Sequence, residues 1–81
     1  MKLPRDISGQ RLATLLGRFG YESSRQTGSH LRLTSRQRGP EHHITIPMHK
    51  TLPVGTLSAI LSDVAEYLDL DKSAVAESLF D

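Results

Sequence analysis

The segment Gly28-Ser29-His30-Leu31-Arg32-Leu33 contains the change from an exposed loop to an apolar-alternating strand. Leu31 and Leu33 alternate with polar residues, which is the period-two pattern of a strand with one buried face. The polar side chains of His30 and Arg32 then belong to the other face. The segment therefore predicts a half-buried strand that begins at a histidine.

Two further strands flank this one in the chain. The residues from Tyr21 to Gln26 are polar and carry no helix signal, so we predict a short edge strand there. Ser35–Glu41 is a basic turn containing glycine and proline. After it, Ile44 and Ile46 repeat the alternation, which predicts a third strand over His43–Pro47 that pairs antiparallel with the second. An antiparallel sheet can leave one face in water, and four side chains are predicted on that face: His30, Arg32, His43 and Thr45.

Apolar residues at helical spacing surround the strands. Ser8 is a predicted N-cap and Gly20 a left-handed C-terminal residue, which brackets a helix over about Gly9–Phe19. A second helix starts near Pro53–Thr56 and follows the spacing of its apolar residues to Leu68. Its apolar positions are Leu57, Ile60, Leu61, Val64, Ala65 and Leu68.

The residues Asp69–Asp71 interrupt the second helix, and Asp71 is a predicted N-cap for a last helix over about Lys72–Phe80. The element order is therefore α-β-β-β-α with an extra C-terminal helix. Helices with one apolar stripe must cover the apolar face of the sheet. We predict an α+β fold in which a three-stranded antiparallel sheet carries its helices on one face.

Length and composition limit the class of protein. The 81 residues fit a single domain, with a core over about 7–68 and the additional helix over about 71–80. The chain has no cysteine, no signal-peptide pattern and no apolar run long enough for a membrane span, so we expect a cytoplasmic protein.

The charges of the chain are strongly segregated along the sequence. Residues 1–50 hold nine Lys or Arg against three Asp or Glu, a net +6, whereas residues 51–81 hold one against six, a net −5. A basic half of this kind suits a polyanion, although two solvated faces of opposite sign explain it equally well.

The pairing of histidine with arginine suggests RNA cleavage. That reaction needs a base for the 2′-hydroxyl proton, an acid for the leaving oxygen and positive charge on the phosphate. Histidine suits the first two tasks, and several basic residues suit the third: Arg25, Arg32, Arg36, Arg38 and Lys50. An ordinary surface histidine at position 30 is the alternative that these residues leave open.

The route through the 2′-hydroxyl needs no metal or other cofactor, and none is predicted. His42 and His43 are adjacent on a strand and point to opposite faces, so they do not readily share an ion. The spacings HxxxH and HExxH are both absent.

Three segments together resemble the HicA (YcfA-like) toxin family. They are Arg25–Leu33 (RQTGSHLRL), His43–His49 (HITIPMH) and Leu52–Leu61 (LPVGTLSAIL). The resemblance implies a double-stranded-RNA-binding-domain-like fold and an mRNA endonuclease of a toxin–antitoxin pair. It also implies a HicB-like antitoxin that covers the active histidine.

By this resemblance His30 is the catalytic histidine, and Gly28 and Ser29 let the chain turn and expose its ring. His49 matches a position often occupied in the family. The predicted RNA-binding set is Ser29, Arg25, Arg32, Arg36, Arg38, His49 and Lys50. Whether the toxin forms homo-oligomers or only hetero-oligomers with the antitoxin stays open. A non-catalytic double-stranded-RNA-binding module is the main alternative, and a structural subunit that docks a partner protein is a third.

Overall fold

A computed structural model describes residues 2–81 and contains one sheet and three helices. In chain order the elements are α1 (Gly9–Leu16, continued by a 3-10 turn over Gly17–Phe19), β1 (Glu22–Thr27), β2 (His30–Ser35), β3 (His42–Pro47), α2 (Val54–Leu68) and α3 (Lys72–Phe80). The predicted α+β class and the α-β-β-β-α order with a C-terminal helix are confirmed. The first strand lies one residue later than predicted, and the third starts one residue earlier.

The strands form an antiparallel sheet in the order β1-β2-β3, so β2 is central. The predicted edge position of β1 is confirmed. The pairing of β1 with β2 shifts between Ser23 and Arg25, which leaves Ser24 as the extra residue of a bulge. The Ser24 hydroxyl donates to the Arg32 carbonyl oxygen at 3.2 Å and accepts from the Thr34 hydroxyl at 2.8 Å. A small polar residue at this position therefore fastens the bulge to the central strand.

The core lies between the helices and one face of the sheet. Leu31 and Leu33 from β2 and Ile44 and Ile46 from β3 are all buried, so the predicted face assignment is confirmed. The helices contribute further large side chains to the same cluster: Leu12, Leu15, Leu16, Leu57, Ile60, Leu61, Val64, Leu68, Val75 and Leu79. Since Val75 and Leu79 lie on α3, the C-terminal helix packs into the same core as the rest of the chain.

The helix ends largely follow the predicted signals. The Ser8 hydroxyl accepts from the Arg11 backbone N–H at 3.0 Å, and Gly20 ends the 3-10 turn with φ of 80°. Asp71 occupies the N-cap position of α3, but its side chain makes no capping hydrogen bond. Asp69 ends α2 in a left-handed conformation with φ of 56°, which the sequence did not indicate. No helix within residues 2–81 combines the length and apolarity that crossing a bilayer requires.

Candidate functional site

His30 lies at the tip of the β1–β2 hairpin. Thr27 and His30 are paired across the two strands, so Gly28 and Ser29 form a two-residue loop. Gly28 has φ of 56°, which suits the first central position of a type II′ turn and is rarely adopted by residues with a side chain. The turn is therefore tight, and the His30 side chain is exposed at the start of β2.

The segment after β3 packs its backbone against this hairpin tip. Pro47 is the pairing partner of His30 across β2 and β3. One residue later, the Met48 backbone N–H donates to the Ser29 carbonyl oxygen at 2.6 Å. His49 follows directly and is exposed. Two histidines that are distant in sequence thus lie on adjoining segments at one end of the sheet.

The start of α1 holds the same segment from the other side. The Gly9 backbone N–H donates to the His49 carbonyl oxygen at 3.0 Å. A Cβ atom at Gly9 would lie 2.0 Å from the Pro47 carbonyl oxygen, so only glycine fits this contact. Lys50 follows in the chain and is exposed. The predicted residues Ser29, His30, His49 and Lys50 are therefore found at a single end of the sheet.

Arg25 and Arg32 are directly opposite each other on β1 and β2. The tight turn sets this register, because Thr27 pairs with His30 and Gln26 with Leu31 and the pairing continues from there to Arg25 and Arg32. The ion pairs found among residues 2–81 involve Arg36, His42 and His43, so neither Arg25 nor Arg32 is neutralised by a described carboxylate. The uncovered face therefore carries two positive charges that none of these ion pairs compensates.

These arginines and the histidine form one concavity. A shallow depression of about 200 Å³ on the uncovered face is lined by Arg25, Thr27, His30, Arg32 and Thr45. An imidazole beside two guanidinium groups combines a proton carrier at neutral pH with bidentate donors for phosphate oxygens. The depression therefore has the chemical groups that act on a phosphodiester.

The two turn arginines lie apart from this depression. Arg36 forms an ion pair with Glu41, and the backbone N–H of Arg38 donates to the Tyr67 hydroxyl at 3.1 Å. Both follow the end of β2 opposite to His30. The structure thus divides the predicted RNA-binding set between the two ends of the sheet, and Arg25 and Arg32 lie between them.

A second depression, of about 230 Å³, continues along the same face. It is lined by Glu22, Ser23, Ser24, Arg25, Arg32, Thr34, Arg36, Glu41 and His43. The Thr34 hydroxyl lies 2.8 Å from His43 Nδ1, and His43 Nε2 lies 3.5 Å from a Glu41 oxygen. His43 therefore faces the uncovered side, whereas His42 contacts α2, and their predicted opposite orientation is confirmed.

Sequence reasoning missed a cluster around His42 at the far end of the sheet. The Tyr21 hydroxyl lies 2.6 Å from His42 Nδ1, and His42 Nε2 lies 3.1 Å from an Asp63 oxygen. Tyr67 stacks on the imidazole with ring centroids 4.6 Å apart. Asp63 is exposed on α2 and pairs with this histidine.

The protonation of Tyr21 reflects this environment. Burial, followed by the nearby Asp63 carboxylate and the Tyr67 hydroxyl, raises the pKa of Tyr21 well above its ordinary value. The chain has only two tyrosines, and both contact the same imidazole. Their scarcity in the composition was the one signal in the sequence that could have drawn attention to them. The cluster joins the sheet to α2 and lies away from the His30 depression.

The geometry defines a small α+β domain with a basic, uncovered sheet face that carries histidine. A family model described as the HicA toxin of bacterial toxin–antitoxin systems matches residues 9–65. The match covers more than half of the chain, and the chain belongs to the HicA toxin family. The resemblance found in the sequence is confirmed.

Family membership makes this chain the toxin component of a toxin–antitoxin system. All of the predicted site residues lie within the matched range, whereas α3 lies outside it. A comparison with curated proteins and one with solved structures each gave no match.

Proposed function

We propose that this toxin is an endoribonuclease that cleaves mRNA by acid–base catalysis at His30, without a metal. One observation carries the proposal: an exposed imidazole shares a depression with Arg25 and Arg32, and no described carboxylate neutralises either arginine. The toxin class supports a nuclease, and the site supplies the groups that the reaction needs.

The chemistry uses the nucleophile that RNA itself carries. A base removes the proton from a 2′-hydroxyl, whose oxygen attacks the adjacent phosphorus while the bond to the 5′-oxygen breaks. An acid gives a proton to that leaving oxygen. The products are a 2′,3′-cyclic phosphate and a 5′-hydroxyl. His30 serves as one of these two proton carriers, because imidazole titrates near neutral pH.

Arg25 and Arg32 bind the phosphate in this proposal. Negative charge accumulates on the non-bridging oxygens as the fifth oxygen approaches phosphorus, and fixed guanidinium groups stabilise that charge. In the same proposal, Lys50 and Ser29 at the hairpin end contact the RNA backbone next to this phosphate. His49 lies on the segment whose backbone is bonded to Ser29, and it is the candidate for the second proton carrier.

The partner of this toxin is a HicB-like antitoxin that silences it by covering His30. The hairpin tip is exposed and has a concave, basic neighbour, so an acidic segment of the antitoxin fits the same depression as RNA. An mRNA substrate places the activity in the cytoplasm.

One observation favours a binding-only alternative, in which the basic face holds double-stranded RNA without cleaving it. Among residues 2–81, the histidine rings that make hydrogen bonds are those of His42 and His43. A catalytic base is usually oriented by a hydrogen bond to its other ring nitrogen. The His30 ring must therefore be oriented by the substrate itself if the chain is an enzyme.

The deciding experiment compares wild type with His30→Ala on single-stranded RNA in the presence of a chelator. We expect the wild type to release products with 2′,3′-cyclic phosphate ends, and the variant to lose cleavage by at least about a hundredfold, the usual contribution of a general acid or base. Arg11→Gln on the exposed surface of α1 is the matched surface control and should cleave as the wild type does.

Intact RNA with the wild type would refute the enzyme, as would unchanged cleavage by His30→Ala. Retained RNA binding in the absence of cleavage would support the binding-only alternative. His30 is exposed, so the variant should keep its fold, and its circular dichroism spectrum should match that of the wild type.

A further inference from the structure

The second depression contains a feature that the phosphate chemistry does not use. Its lining combines the arginines at its border with two carboxylates, Glu22 and Glu41. A phosphate placed there would meet negative charge, whereas the His30 depression has no carboxylate in its lining. The two concavities of the uncovered face therefore suit different parts of a nucleotide.

We propose that this second depression is a nucleobase subsite that selects guanine next to the cleaved linkage. The proposal rests on the proposed ribonuclease function and adds a base preference to it. The depression measures about 230 Å³, which is below the range of drug-sized pockets and is of a size for one nucleobase.

The two depressions adjoin each other, so together they can hold consecutive parts of one RNA strand. They share Arg25 and Arg32, so they are continuous along the face. His30 lines the first depression and Thr34 the second, and the two are four residues apart on β2, which is about 13 Å at the rise of a β-strand. A phosphate bound beside His30 leaves its adjoining base at the Thr34 end.

Three hydrogen bonds connect the residues at the floor of the subsite, and each residue in this chain donates to the next. Thr34 donates its only hydroxyl proton to Ser24 Oγ at 2.8 Å, and Ser24 donates to the Arg32 carbonyl oxygen at 3.2 Å. His43 Nδ1, 2.8 Å from the Thr34 oxygen, must therefore carry a proton and donate it. This tautomer is assigned from the network. The network fixes the His43 ring before any ligand arrives, which lowers the entropic cost of binding.

The carboxylates of the lining are not equivalent. Glu41 forms an ion pair with Arg36. Glu22 takes part in none of the ion pairs formed within residues 2–81, and it is exposed at the start of β1. Glu22 is therefore the acceptor that remains available to a ligand.

The pattern of donors on the bases then decides which one fits. A carboxylate only accepts hydrogen bonds and presents two oxygens side by side. Guanine alone presents two adjacent donors, N1–H and the N2 amino group, on its Watson–Crick edge. Its O6 and N7 atoms accept from arginine in the bidentate geometry that is common in base recognition. Adenine, cytosine and uracil each present a single donor next to an acceptor on this edge. That acceptor would face a carboxylate oxygen, and the two would repel each other.

The test measures binding separately from cleavage. We would titrate the cleavage-deficient His30→Ala variant with four 2′-O-methyl oligonucleotides of identical uridine background and one varied central base. We expect the guanine oligonucleotide to bind about tenfold more tightly than the other three, the discrimination that one bidentate contact supplies. Glu22→Gln in the same background should reduce that preference to within about twofold.

Glu66→Gln is the matched control, because Glu66 is an exposed carboxylate on α2 in the helical layer. It should keep the full guanine preference. Equal affinity for all four bases would overturn the subsite, and so would a guanine preference that survives Glu22→Gln. Neither result depends on cleavage, so the subsite and the ribonuclease reaction can fail independently.

Discussion

The Tyr21 hydroxyl lies 2.6 Å from Nδ1 of His42 and thereby joins the residue before β1 to the first residue of β3. The same imidazole pairs with Asp63 and stacks on Tyr67, both from α2. One side-chain cluster therefore ties both edge strands to the longest helix. The cluster lies at the end of the sheet away from His30, so we assign it a role in the stability of the fold and none in the reaction.

Removal of the Tyr21 hydroxyl should destabilise the fold. In Tyr21→Phe the partly buried His42 nitrogen loses its partner, and the free energy of unfolding should fall by about 1–2 kcal/mol. Urea denaturation at pH 7 measures this as a lower midpoint with an unchanged slope. RNA cleavage below the unfolding transition should be unaffected, and an unchanged midpoint would contradict the role assigned to this contact.

The same residue should make stability depend on alkaline pH. Because the pKa of Tyr21 is raised in the folded chain, the native state keeps a proton that the unfolded chain loses near pH 10. The contribution of protonated Tyr21 to the free energy of unfolding is therefore fully present below about pH 10, and it decreases as the pH rises above that value. Urea midpoints between pH 8 and 11 should fall more steeply for the wild type than for Tyr21→Phe. Parallel curves for the two proteins would contradict this assignment.

Two glycines of the first helical segment should respond to alanine in opposite ways. At Gly9 a new Cβ would lie 2.0 Å from the Pro47 carbonyl oxygen, so the backbone must move and Gly9→Ala should cost about 2 kcal/mol or more. At Gly17 a new Cβ would meet no atom within 4 Å apart from those of its chain neighbours and its own helix backbone. Gly17→Ala should therefore raise the stability by about 0.5–1 kcal/mol through helix propensity. Thermal unfolding of both variants measures the contrast, and equal effects would argue against the close contact.

Gly9→Ala should also impair cleavage under conditions where it remains folded. The Gly9 contact holds the segment that carries His49 against the hairpin tip. A displaced segment moves His49 and Lys50 relative to His30. Full activity in a folded Gly9→Ala protein would show that this segment takes no part in the reaction.

The paired arginines of the sheet should determine the salt dependence of RNA binding. Each phosphate contact on a single strand contributes about 0.7 to the slope of log affinity against log salt concentration. Arg25→Gln and Arg32→Gln, each in the His30→Ala background, should lower that slope by about 0.7 apiece. Arg36→Gln should have a smaller effect, because Glu41 already neutralises its charge. Arg11→Gln should leave the slope unchanged, and equal slopes for all four variants would remove the basic face from the binding surface.

Much of the fold could be predicted because its signals are local. Alternation over Leu31 and Leu33 separates the two faces of the central strand, and the spacing from Leu57 to Leu68 indicates a helix with one buried side. These periodicities arise from backbone geometry that each segment carries within itself. The positions of His30 and His43 on the uncovered face follow from the same rule.

The sequence by itself therefore determined the elements, the faces of the strands and the histidine to consider first. The tertiary structure alone decided which distant residues meet. Tyr21, His42 and Asp63 come together only when α2 packs on the sheet, since no spacing along the chain relates them. Glu22 is paired with Thr34 on the uncovered face only because Ser24 forms a bulge between it and the hairpin turn. A bulge of one residue reverses the face of what precedes it, and it depends on how two strands pair.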